Sequence, residues 1–106
     1  KALDKFCPFG PGIVTADEIP DPQSLGIGLT VNGEQRQSSN TSNMVFGVEE
    51  IISHLSRIMT LEPGDVIATG TPAGTAAAFE PLEWLKAGDV VSMEIGPLGE
   101  LVTTFA

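Results

Sequence analysis

Apolar and polar residues alternate most regularly over residues 27–31, where Gly28 and Thr30 separate Ile27, Leu29 and Val31. A period of two puts the three large side chains on one face of a half-buried strand. Asn32 and Gly33 follow, and both accept positive φ, which predicts a two-residue hairpin. The return strand, residues 34–38, is polar throughout and reads as an exposed edge. Val91, Met93 and Ile95 alternate into another strand; Gly96, Pro97 and Gly99 turn it, and residues 101–105 return. The short apolar run Val66, Ile67 and Ala68 reads as a buried strand, and residues 13–15 as a further short one.

The period changes once. Val48, Ile51, Ile52, Leu55, Ile58 and Met59 follow the i, i+3, i+4, i+7 spacing of an amphipathic helix over residues 48–59. Gly47 is a weak N-cap, and Glu49 and Glu50 suit the positive end of the helix dipole. Phe46 and Ile51 have the spacing of a hydrophobic staple. His54, the single histidine, shares the polar side with Ser53 and Arg57 and reads as a surface residue.

Punctuation fills the rest. Residues 17–23 are a turn-rich connector in which Asp21 and Pro22 open a single helical turn through Leu25. Residues 39–43 are a polar loop whose side chains bond the local backbone. Asn40, Thr41 and Ser42 fit a glycosylation sequon, which is incidental in a cytosolic protein. Residues 76–78 are three alanines, flexible or briefly helical, and residues 81–85 read as a helical turn placing Trp84 against the sheet. The pattern Leu-x-x-Gly-Asp-Val occurs twice, from Leu61 and from Leu85. Pro63 followed by Gly64 has the type II signature, so one kind of turn leads into two strands. The fold class is mainly β with one α-helix, its short strands forming a curled, barrel-like sheet.

Composition narrows the function classes. The 106 residues carry 14 acidic against 5 basic side chains, a net charge of −9, and 42% hydrophobic residues. One domain with a modest core fits that length. The charge argues against nucleic-acid and anionic-membrane partners, which call for clustered Lys and Arg. No apolar run approaches the roughly 18 residues of a membrane span, and no signal peptide is visible. A single cysteine, Cys7, leaves no internal disulfide and suits a reducing, cytoplasmic setting. Set between Phe6 and Pro8, with no base near it in sequence, Cys7 reads as a small buried hydrophobe.

Two places can carry chemistry. After Ala68 the chain passes through Thr69, Gly70, Thr71, Pro72, Ala73 and Gly74. Glycine lets a ligand approach the backbone closely, and Thr71 offers a hydroxyl and a main-chain N–H to an oxygen. Such donors hold a carboxylate or a developing enolate oxyanion; on spacing alone, an ordinary strand-to-loop turn is the commoner reading, because Gly/Thr loops are common. Pro8, Gly10, Pro11 and Gly12 make the N-terminal stretch a loop. Lys1 and Lys5 stand in it, and a lysine in so acidic a chain either binds a carboxylate or enolate or stays solvated.

The residues Lys1, Asp4, Phe6, Cys7, Pro8, Gly10 and Pro11, then Val31 to Glu34, Asn40 to Ser42, residues 61–74 and residues 85–91 together resemble the fumarylacetoacetate hydrolase family. The resemblance covers nearly the whole chain, and residues 65–74 are its most specific part. It implies a mixed β-sandwich-roll catalytic domain, of which residues 1–106 form the C-terminal portion, in a protein that forms homodimers. It implies Mg²⁺ or Mn²⁺ held by two Glu and one Asp, and a small 2-oxo or 2,4-dioxo acid as substrate. The family's catalytic lysine matches Lys1, and its substrate-contacting Gly-Thr matches Gly70 and Thr71. The metal carboxylates, and the His/Glu pair that activates water in the hydrolases, lie upstream of the lysine, so this chain supplies no metal ligand. Glu62, Asp65 and Asp89 sit in turns, where acids serve local bonding.

The expected function is therefore part of a metal-dependent enzyme working through an enolate. It leans to isomerisation or decarboxylation of aromatic ring-cleavage products, with acylpyruvate hydrolysis or oxaloacetate decarboxylation as the alternative. A non-catalytic β module that binds small carboxylates is the alternative of another class. The 106 residues alone are expected to be inactive and to expose apolar surface that the other half of the sandwich covers.

Overall fold

The computed structural model describes residues 4–106. Lys1 lies outside the described residues. The architecture is mainly β with one α-helix: β1 (Gly26–Val31), β2 (Glu34–Asn40), α1 (Val48–Ser56), β3 (Val90–Glu94) and β4 (Glu100–Thr104). The strands form one antiparallel sheet in the order β2-β1-β3-β4. The sheet is open, not closed into a barrel, and β2 and β4 are its edges among the described residues.

Local chemistry explains the strand connections. Asn32 at φ 52° and Gly33 at φ 83° make the tight turn that joins β1 to β2, and its twist matches that of the paired strands. The Asn32 side chain then reaches across the sheet: its Nδ2 donates to Asp89 Oδ1, and its Oδ1 accepts from the Val90 N–H, both at 2.9 Å. The hairpin is thereby tied to the start of β3. A 3₁₀ turn, Gly96–Leu98, joins β3 to β4.

The register places the side chains. Leu29 faces Met93 and Val31 faces Val91 across β1 and β3, and Met93 faces Leu101 across β3 and β4. These apolar residues share one face of the sheet, as alternation in a strand requires. That face is only partly covered. Among the described residues no hydrophobic side chain is buried, and Phe6, Phe9, Ile13, Val45, Ile58, Val66 and Trp84 are all more than half exposed. The expected apolar surface is present.

The helix begins at Val48 as expected and stops at Ser56, three residues early. Gly47 caps it with no side chain. The missing cap comes from a distance, because Gln23 Oε1 accepts the Val48 N–H at 2.7 Å. Beyond Ser56 the chain tightens: Arg57 N–H bonds His54 O, and Ile58 N–H bonds Leu55 O. Ile58 and Met59 are exposed, 70% and 52%, so no packing extends the helix to them. His54 is exposed, as expected.

Further expectations fail. Residues 66–68 are not a strand, and Val66 is 69% exposed; a strand needs a ladder partner, and none of the four strands pairs with this run. Residues 13–15 are likewise unpaired, with Ile13 at 86% exposure. Residues 81–85 contain no helical turn, and Trp84 lies along a cleft at the sheet, 63% exposed. Cys7 is exposed, not buried: its loop meets Leu101 and Gly99 at Gly10 and Pro11, away from the thiol.

The doubled turn holds. Asp65 N–H bonds Glu62 O at 3.1 Å, and Asp65 Oδ2 accepts the Glu62 N–H at 2.8 Å. Asp89 repeats the arrangement with Lys86 at 3.0 and 2.7 Å. Gly64 and Gly88 take φ of 102° and 93°, the left-handed position of a type II turn. The carboxylates of Asp65 and Asp89 serve their own turns.

Candidate functional site

The site is built where the 69–74 loop meets β2. Residues 39–40, expected in a loop, continue β2, and the strand holds a bulge. Leu29 pairs with Gln37 and Thr30 with Gln35, so Arg36 is the extra residue. A bulge turns neighbouring side chains that would otherwise point to opposite faces. Arg36 and Gln37 accordingly line the same cleft, of about 630 Å³, with Leu29, Val31, Thr71 and Trp84.

The two bulge residues do different work. The Arg36 guanidinium pairs with Glu34 at 3.3 Å and with Glu83, and lies 4.8 Å from the centre of the Phe79 ring. Its charge is matched by carboxylates, so it braces the 79–83 segment. Gln37 is the one buried polar residue among those described, 7% exposed. Its Nε2 donates to Thr71 Oγ1 and to Pro72 O, each at 2.9 Å. A glutamine on a strand expected to be exposed is thus the anchor of the loop.

The loop's glycines are needed for its path. Gly70 stands at φ +118° and Gly74 at φ +101°, a region L-residues avoid. A β-carbon at Gly74 would come to 1.9 Å of the Arg36 carbonyl oxygen. The loop therefore rests directly on the backbone of β2. Thr71 and Gly70 remain exposed. Thr71 stands between the first cleft and a second of about 430 Å³, which Gly70 also lines with Thr41, Phe46 and Ile51. The side chains of the second cleft carry no charge.

Among the described residues neither the Gly70 nor the Thr71 N–H makes a hydrogen bond within the chain. With the Thr71 hydroxyl, three donors gather at the loop. Such a group suits an anionic oxygen. Gly70 and Thr71 lie side by side on the exposed loop, while Lys1 lies outside the described residues. Gln37 was missed: its bond to Thr71 spans 34 positions of sequence, and its neighbours Gln35 and Ser38 give the strand an exposed pattern.

Away from the loop, hydrogen bonds from Asn32 and from the Lys86 N–H hold the Asp89 carboxyl below the usual carboxylate range. No group of three His, Cys, Asp or Glu among the described residues can hold a metal ion. These residues therefore do not fit a divalent ion by themselves. No helix among them is long and apolar enough to cross a membrane.

Residues 1–106 match the family model described as fumarylacetoacetate (FAA) hydrolase C-terminal. A mitochondrial oxaloacetate tautomerase from Xenopus laevis is 52% identical over 101 residues, 95% of this chain and 32% of that protein. The structure of fumarylacetoacetate hydrolase from Exiguobacterium antarcticum superposes with a TM-score of 0.93 at 48% identity, over 97% of this chain and 37% of the other. Maleylpyruvate hydrolase from Sphingobium, solved with manganese(II) and pyruvate, gives 0.88 at 40% identity over 99% of this chain and 37% of the other. The chain spans about a third of the length of these relatives.

Proposed function

Because the chain belongs to the fumarylacetoacetate hydrolase family, we propose that it is the C-terminal portion of the catalytic domain of an enzyme that isomerises a small 2-oxo diacid through an enolate. The observation that carries this reading is the loop itself. Gly70 and Thr71 are exposed, carry three donors unspent among the described residues, and are held on β2 by Gln37. Donors fixed in advance stabilise charge that develops on an oxygen without reorganising during the reaction. Thr71 and Gly70 bind and orient a carboxylate or enolate oxygen; the resemblance assigns the catalytic positive charge to Lys1.

Relatives support the chemistry. The Xenopus relative is named an oxaloacetate tautomerase, and the Sphingobium hydrolase is in complex with pyruvate, itself a 2-oxo acid. Isomerisation or decarboxylation of ring-cleavage products, acylpyruvate hydrolysis and oxaloacetate decarboxylation pass through the same enolate, so the recognition groups are common to them. The manganese of the Sphingobium structure extends the proposal to a required Mg²⁺ or Mn²⁺, held by carboxylates other than the described residues. The intact protein is proposed to be a cytoplasmic homodimer.

The test uses the intact protein and oxaloacetate, following loss of the enol's ultraviolet absorbance. Turnover is expected to stop with chelator and return with Mg²⁺ or Mn²⁺. Thr71→Val and Lys1→Met are each expected to lower kcat/KM more than about tenfold, equivalent to about 1.4 kcal/mol. Tight binding of 2-oxo diacids with no turnover under any metal condition would establish the carboxylate-binding module instead.

A further inference from the structure

We infer that Gln37 is a positioning residue that fixes the Thr71 hydroxyl as a hydrogen-bond donor toward the substrate. The inference rests on the reading of Thr71 given above. It begins from the amide's orientation. Pro72 contributes only a carbonyl oxygen, which accepts, so the group 2.9 Å from it is the amide NH₂. The second hydrogen of that NH₂ then points to Thr71 Oγ1, also at 2.9 Å. Thr71 Oγ1 is an acceptor in this bond. Its single hydrogen is left to face the exposed side of the loop, where it donates.

The consequence is a choice of ligand. A free threonine hydroxyl both donates and accepts, and rotates to suit its partner. Tied to Gln37, it keeps its donor outward beside the free N–H groups of Gly70 and Thr71. The loop then sets the hydroxyl hydrogen beside two N–H groups, an arrangement that favours an oxygen able to accept from several donors, such as a carboxylate or enolate. Burial strengthens the tie: Gln37 is 7% exposed, and water competes poorly for a bond so placed. The bulge at Arg36 supplies the geometry by turning Gln37 toward the loop.

A double-mutant cycle in the intact enzyme tests this. Gln37→Met keeps the volume and removes both donors. It is expected to lower kcat/KM about tenfold, in the same parameter, kcat or KM, that Thr71→Val moves. In the Thr71→Val background the further loss should be less than twofold, because the two residues act as one unit. Thr71→Ser keeps the hydroxyl and is expected to lose less kcat/KM than Thr71→Val, and Gln37→Met should then cost it as much as it costs the wild type. An equal loss from Gln37→Met in the Thr71 and Thr71→Val backgrounds overturns the positioning role and leaves the substrate role of Thr71 standing. No effect of Thr71→Val removes that reading, and the positioning role with it. If Gln37→Met fails to fold, as judged by thermal melting, Gln37→Glu replaces it. The glutamate has the same shape but accepts from Thr71, and the same non-additivity is expected.

Discussion

A β-carbon at residue 74 has no place to go. Gly74 sits against the Arg36 carbonyl and at a φ of +101°, so Gly74→Ala meets a backbone clash and a left-handed conformation at once. The conformation alone costs about 1–2 kcal/mol, and the carbonyl belongs to a paired strand that does not yield cheaply. The loop is expected to lift off β2 and carry Thr71 with it. Kinetics and thermal unfolding of the intact enzyme check this: kcat/KM should fall at least tenfold with a small loss in melting temperature. At this scale the tight loop at Gly70 and Thr71 was legible from its glycines and threonines, while the substrate role given to them came from the family resemblance. The sequence did not show Gln37, whose partners lie 34 and 35 positions away, nor the exposure of Cys7, which depends on what packs over it.

Elements closed by near neighbours in sequence were the legible ones. The Asn32–Gly33 hairpin, the β3–β4 return and the start of α1 are each specified within a few residues, and each appears. Residues 66–68 carry the apolar composition of a strand but no partner to make one. The bulge in β2 leaves no trace in the alternation of a strand that is polar throughout. The helix cap shows the same limit. Gln23 reaches Val48 across 25 positions and also donates to Thr41 O at 3.1 Å, so one side chain joins the connector, the end of β2 and the start of α1. Gln23→Ala is expected to cost about 1 kcal/mol, the usual effect of losing an N-cap. Amide hydrogen exchange should localise the change, with faster exchange in the first turn of α1 and none in β3 or β4.

Among the described residues no hydrophobic side chain is buried, so within them the sheet is held by its ladders and turns. The ring of Glu62 and Asp65 closes ahead of a run that is not a strand, and the ring of Lys86 and Asp89 closes ahead of β3. The same closure in both settings shows that the ring does not depend on a sheet to exist. Local loops close on the order of 10–100 ns, and hairpins take about 1–10 μs. The Lys86–Asp89 ring is therefore expected to close before β3 pairs with β4. Ala87 occupies the place that proline holds at Pro63, and its N–H makes no hydrogen bond among the described residues. Ala87→Pro should restrict the unfolded chain and stabilise the intact protein by about 0.4–1 kcal/mol. In stopped-flow refolding that gain should appear almost wholly as a faster folding rate, with the unfolding rate unchanged. A chain that writes one closed ring twice thus carries a starting point for folding that is independent of the architecture built upon it.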